Sequence, residues 1–217
     1  MFKEKSYVST GIAIVIAMAG AIPVNAMDDA PIVVKRAPSA SEKIVEIVDA
    51  TNGDFNQNGA RDLVVLARTP GSIWDGEIII FEDHFENDAE NMFRLRGYLT
   101  VGRGVGEVKS TSETSFSVTH GNLDGRNSWS EALHLAYRNG EYILAGRTIW
   151  SHDGFDEEQA FYCDLNLLTG EFLVAEGQDV AGAKFTAGHR LPLVVPIDML
   201  PSYLAKTANQ GLAICSD

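Results

Sequence analysis

Along this chain the apolar residues come in short runs, many alternating with polar ones, and Gly, Asn, Asp and Pro separate them. Period-two alternation bounded by turn formers is the signature of half-buried strands. Lys43 to Val48 and Asp62 to Ala67 read as strands on either side of an Asn/Asp/Gly-rich loop, and Glu77 to Phe81 follows the turn formers Pro70-Gly71 and Asp75-Gly76. Arg94 to Val101 and Ser115 to Thr119 alternate in the same way. Ala132 to Tyr137 and Tyr142 to Ala145, continuing through Thr148-Ile149-Trp150, flank Asn139-Gly140, the dipeptide that favours a two-residue hairpin turn. Ala160 to Leu168 and Glu171 to Ala175 flank Thr169-Gly170, a second hairpin signal. Helix is predicted only for a turn or two within Pro196 to Ala205, limited by Pro201, and more weakly for Asp88 to Arg94. The expected fold is all-β, with mainly antiparallel sheets built of hairpins, propeller-blade-like or sandwich-like, and little helix.

The densest chemistry lies between the first two strands, in Gly53-Asp54-Phe55-Asn56-Gln57-Asn58-Gly59-Ala60-Arg61-Asp62. Oxygen-bearing side chains occupy every second position (Asp54, Asn56, Asn58), and Asp62 comes four residues later. Calcium takes six to eight oxygen ligands, and loops of this spacing wrap alternate residues around it. Gly59 stands where a sharp turn is needed, and Ala60 would add a backbone carbonyl. The candidate metal ligands are therefore Asp54, Asn56, Asn58, Ala60 and Asp62, for Ca2+. An EF-hand is excluded, because Val65 stands where the bidentate Glu belongs and the flanks are strand-like. The competing reading is a hairpin loop closed by Asx turns alone. A similar segment, Gly121-Asn122-Leu123-Asp124-Gly125, follows 68 residues on, but Arg126 falls where Asn58 stands and would repel a cation, and the likeness reads as chance similarity between two turn-rich segments.

Gly53 to Leu66 resembles the FG-GAP/VCBS-type repeat of integrin α-subunit propellers and of many secreted bacterial proteins, whose Asp-x-Asp/Asn-x-Asp/Asn-Gly-x-x-Asp-Leu loop joins two strands and binds calcium. The resemblance implies the same ligands, with Ala60 acting through its carbonyl. It covers a single copy, and the whole chain looks like small exported bacterial proteins that carry one such loop. With two carboxylates among the ligands, affinity should be modest, roughly 10⁻⁴ to 10⁻³ M as in extracellular modules.

Residues 1–26 read as a signal peptide: Lys3 and Lys5, an apolar stretch from Gly11 to Ile22, then Val24 and Ala26 at cleavage-site spacing. Residues 27–41, with Pro31 and Pro38, read as a linker or loose arm, and 42–217 as a single β-rich domain. Once the signal is cleaved, no segment is expected to insert in a membrane. The formal net charge is −13, and losing residues 1–26 removes two Lys and one Glu, which makes it −14. Such a chain repels phosphate backbones, so nucleic acid is not an expected partner, whereas a protein or glycan is. Cys163 and Cys215 are the only cysteines, and in an exported protein they are expected to form a disulfide.

Catalytic signals are sparse. Gly102-Arg103-Gly104-Val105-Gly106 lacks the helix a phosphate loop needs behind it. His84, His120, His134, His152 and His189 show no zinc spacing and read as surface or loop residues. Asp153, Asp156, Glu157 and Glu158 read as a solvated turn, although paired carboxylates could serve a glycosidase. The aromatics Trp129, Trp150, Phe155, Phe161 and Tyr162 are expected mostly in the core, with a Trp at a hairpin edge able to meet a glycan or protein. The resulting expectation is a periplasmic or secreted non-catalytic binding or structural module. The alternatives are a hydrolase of cell-envelope polymers and an inhibitor- or immunity-type module that binds protein.

Overall fold

The computed structural model describes residues 33–35, 46–69, 72, 74–82, 92–102, 105–123, 127–153, 156–176, 183–207 and 215. The first thirteen elements are strands: β1 (Val33–Lys35), β2 (Glu46–Gly53), β3 (Asp62–Arg68), β4 (Asp75–Phe81), β5 (Met92–Thr100), β6 (Glu107–Ser112), β7 (Ser115–Asn122), β8 (Asn127–Arg138), β9 (Glu141–Asp153), β10 (Asp156–Asn166), β11 (Glu171–Glu176), β12 (Thr186–His189) and β13 (Val195–Pro196). A 3-10 turn at Ile197–Met199 leads into one helix, α1 (Leu200–Thr207). The mostly antiparallel, sheet-rich fold expected from the alternation is thus present.

The strands form two sheets. One has the order β1-β5-β4-β3-β2, and the other β12-β11-β10-β9-β8-β7-β6. β10 ends at Asn166, opposite Gly146, and β13 continues its lane by pairing Leu144 and Ile143 of β9. Alternation decides which side chains meet. Val64, Leu66, Ile78 and Ile80 of the five-stranded sheet share one buried cluster with Phe116, Val118, Leu133, Leu135, Leu144, Ile149, Cys163 and Leu165 of the larger sheet. Two sheets over one core is the sandwich-like form. Val65, Ala67 and Ile79 form a smaller cluster on the other face of the five-stranded sheet.

The sheets also touch along a seam. Val108 N donates to Asp49 Oδ2 at 2.7 Å and Gly102 N donates to Gly121 O at 2.8 Å, while Arg68 Nη1 of β3 secures the end of β5 by donating to Val101 O at 2.7 Å. The 3-10 turn and α1 bring Ile197, Leu200 and Leu204 into the shared core. Pro201 lies in the first turn of α1, where a missing N–H breaks no helical bond.

Several expectations shift in detail. β2 begins at Glu46 and runs to Gly53, so the Asn/Asp loop starts where pairing ends. β6, β12 and β13 were not among the expected strands. Val33–Lys35, inside the expected arm, pairs with β5. Of the weaker helix candidate, residues 92–94 are strand, and the rest lies outside the described residues, as do residues 1–26.

Candidate functional site

The β2–β3 connection is closed by the pair Gly53↔Asp62. Its tight path needs backbone shapes that L side chains rarely adopt: Gln57 has φ 56° and Gly59 φ 90°. Asp54 stabilises that path with both oxygens, Oδ1 accepting Asn58 N–H at 3.0 Å and Oδ2 accepting Gly59 N–H at 3.1 Å. Asn56 Oδ1 also accepts Asn58 N–H (3.2 Å), and Asn58 Oδ1 accepts Ala60 N–H (2.8 Å). Asp54, Asn56 and Asn58 thus turn their oxygens inward around one tight turn, with Ala60 tied in by its amide.

Asp62 works differently. It has no exposed surface, and its Oδ2 accepts N–H from Phe55 (2.9 Å) and Asn56 (3.2 Å) together with the Tyr142 hydroxyl (3.2 Å). Asn56 Nδ2 donates to Asp62 Oδ1 at 3.3 Å. Burial and the neighbouring Asp62 raise the Tyr142 hydroxyl above its ordinary range, so it remains a proton donor to that carboxylate. Tyr142 belongs to β9, in the other sheet, and one carboxylate therefore joins the loop to both sheets.

Phe55 strengthens the junction. Its ring is fully buried, 5.1 Å from Phe116, which lies 6.1 Å from Tyr142. The ring folds over Gly53, where an added Cβ would approach its atoms to 2.9 Å. The odd-numbered residue between two oxygen-bearing positions therefore points into the core, away from the loop oxygens.

Hard oxygen donors are what calcium requires, and two carboxylates, two amide oxygens and a carbonyl fit that demand. Among the described residues no group of three or more His, Cys, Asp or Glu side chains is gathered for a metal. The loop has only Asp54 and Asp62 as charged donors. Backbone amides already engage much of their lone-pair capacity, which also matches closure by Asx turns.

Two polar rows cross the larger sheet on opposite faces, and neither was anticipated. On the core face His120, Glu131 and Arg147 come from β7, β8 and β9. Glu131 Oε2 lies 3.2 Å from His120 Nε2, and its Oε1 accepts from Arg147 Nε. Thr100 N–H donates to His120 Nδ1 at 3.3 Å, which leaves Nε2 facing Glu131. Arg147 also donates to Thr207 Oγ1 of α1 (2.7 Å) and lies 5.4 Å from the centre of the Tyr203 ring. Burial pushes the Glu131 carboxyl up, but Arg147 and His120 outweigh it and hold it at about 2. His120 is 2% exposed, not a surface histidine. The sequence carried a signal for this: His120 continues the Phe116, Val118 parity, and Glu131 continues that of Leu133.

On the opposite face His134 Nε2 is 2.7 Å from Thr148 Oγ1, which donates to Asp164 Oδ1 at 2.8 Å. Burial lowers His134 against a smaller opposing pull from Asp164. Thr148 has no exposed surface, so the row braces β8, β9 and β10 rather than presenting a nucleophile. Trp150 stacks on His152 of the same strand, with ring centroids 6.0 Å apart, and Tyr162 packs edge-on to Phe185 at 5.0 Å. The side chains of Asp153, Asp156, Glu157 and Glu158, and His84, lie outside the described residues.

Cys163 of β10 is bonded to Cys215, with Cα atoms 6.0 Å apart. Such a bond persists in oxidising compartments. No helix among the described residues is long and apolar enough to cross a membrane. Comparison with family models, with curated proteins and with solved structures finds no match.

Proposed function

We propose that this chain is an exported, non-catalytic binding module whose two sheets are clasped by a calcium-responsive loop, Gly53 to Asp62. The observation that carries the reading is the double role of Asp62, which closes the loop through Phe55 and Asn56 and reaches the other sheet through Tyr142. The ion would be held by Asp54, Asn56, Asn58, the Ala60 carbonyl and Asp62, adding positive charge beside a fully buried carboxylate. Buried carboxylates are costly unless compensated, so a cation there would tighten the junction of the sheets. The disulfide and the leader-like first 26 residues support a periplasmic or secreted location. The acidic charge favours a protein or glycan partner over nucleic acid.

Thermal unfolding of the mature chain tests this reading. With a Kd near 10⁻³ M, about 10 mM calcium adds roughly 1.4 kcal/mol of stability, a rise of about 3–5 °C for a domain of this size. Asp54→Ala is expected to remove the rise by deleting one of two ligand charges. Phe55→Leu is expected to melt lower and yet keep the rise, because residue 55 faces the core.

A further inference from the structure

Three Asn-Gly dipeptides occur in the chain, Asn52-Gly53, Asn58-Gly59 and Asn139-Gly140. Such a dipeptide can react with itself, because glycine has no Cβ to keep its nitrogen from the asparagine Cγ. Attack of that nitrogen on Cγ forms a five-membered succinimide and releases ammonia, and water reopens the ring to leave a carboxylate. The ring closure is helped by a base for the amide proton and by a donor for the oxyanion that forms on Oδ1.

The fold treats the three dipeptides differently. Asn52 lies in β2, where the pairs Asn52↔Leu63 and Gly53↔Asp62 keep the backbone extended. Asn139 and Gly140 form the exposed β8–β9 turn, and among the described residues neither the Gly140 amide nor the Asn139 side chain has a hydrogen-bond partner. At Asn58 both aids are in place. Gly59 N–H donates to Asp54 Oδ2 at 3.1 Å, within reach for proton transfer, and Ala60 N–H donates to Asn58 Oδ1 at 2.8 Å. The second bond folds the side chain over the Gly59 peptide, since the ring it closes contains both Cγ and the Gly59 nitrogen. Asp54 Oδ1 and Asn56 Oδ1 hold the Asn58 amide, so the reacting atoms are oriented before the reaction begins. Asn58 and Gly59 are exposed, so water reaches the ring.

We infer that this loop converts its own Asn58 to an aspartate. The Gly59 nitrogen bonds to Asn58 Cγ as its proton passes to Asp54, and Ala60 N–H carries the Oδ1 oxyanion. The Cγ–Nδ2 bond then breaks, and Nδ2 takes the proton back from Asp54 and leaves as ammonia. One water opens the succinimide, and whichever carbonyl it attacks, residue 58 ends with a free carboxylate. The loop then has three carboxylates in place of Asp54 and Asp62 alone, and calcium affinity in such loops rises with ligand charge. The tighter binding rests on the clasp reading, whereas the conversion does not.

The test holds the freshly purified mature chain, folded and in urea, in calcium-free neutral buffer made with heavy-oxygen water, and peptide mapping reads label uptake at the three dipeptides. Asn58 is expected to convert at least fivefold faster in the folded chain than in the unfolded one, and ahead of Asn52 and Asn139. Asp54→Asn, which keeps an oxygen and removes the base, should slow conversion at Asn58 at least fivefold and leave Asn139 unchanged. If Asp54→Asn does not fold, the ratio of folded to unfolded wild type decides. Calorimetry on Asn58→Asp should give a calcium Kd at least tenfold below that of the unconverted chain. The inference is overturned if Asn58 converts no faster folded than unfolded, if folded Asp54→Asn converts as fast as wild type, or if Asn58→Asp binds calcium no tighter. Conversion at Asn58 with no calcium binding in either form rejects the clasp alone, and calcium binding with Asn58 unconverted rejects the conversion alone.

Discussion

Asp62 and Glu131 are both buried carboxylates, and their neighbours give them different parts. Asp62 is held by amides and by one hydroxyl from the opposite sheet. Hydrogen bonds to charged groups contribute about 1.5–3 kcal/mol, so Tyr142→Phe should destabilise the fold by about that amount in urea titrations at pH 7. It should also steepen the dependence on calcium, because the cation then compensates Asp62 with less help. Glu131 instead faces a guanidinium, which holds it at about 2 against an ordinary 4.5. A carboxyl lowered in the fold contributes stability that is complete above pH 4.5 and lost as the pH falls from there toward 2. Glu131→Gln should therefore flatten the acid limb of the stability profile between those values, as read by urea unfolding at stepped pH. Arg147→Met is expected to cost roughly 3–5 kcal/mol at neutral pH by leaving Glu131 buried without its cation.

Among the elements, the ones legible in the sequence are those whose side chains do the packing. The β8–β9 hairpin was announced by Asn139-Gly140, and both residues take left-handed backbone, φ 54° and 89°. Gly140→Ala should cost about 1–2 kcal/mol in thermal unfolding, although an added Cβ meets nothing there, because the penalty is conformational. α1 was legible as a turn or two around Leu200 and Tyr203, and in the fold it is Leu200 and Leu204 that are buried. β6, β12 and β13 were not, for a common reason. β6 buries only Val108, β12 buries no side chain, and β13 has two residues, so backbone pairing rather than apolar alternation holds them. The same limit applies to the site. The spacing of Asp54, Asn56 and Asn58 was visible, but the link from Asp62 to Tyr142 spans 80 residues and depends on how two sheets stack. His120 and Glu131 keep the parity of their apolar neighbours, but a charged residue at a core-facing position breaks the pattern used to find strands, so the row they form with Arg147 was passed over.

For the molecule as a whole, two devices hold parts that the core alone leaves loosely attached. The Cys163–Cys215 bond closes a separation of 52 residues and anchors Cys215, 3% exposed, against β10. Loop-entropy arguments value such a closure at about 4 kcal/mol, so Cys163→Ala with Cys215→Ala should lower stability by that order in denaturant titrations without reductant. The loop from Gly53 to Asp62 is the second device, and it holds the sheets together where Phe55, Phe116 and Tyr142 meet. Calorimetric titration of the mature chain with calcium reads the response of this loop without any unfolding step. One ion per chain is expected, with a Kd of roughly 10⁻⁴ to 10⁻³ M and no binding heat in Asp54→Ala. An absence of heat in the wild-type chain up to about 10 mM calcium, ten times the weaker end of that range, would contradict it and leave a loop closed by its own Asx turns.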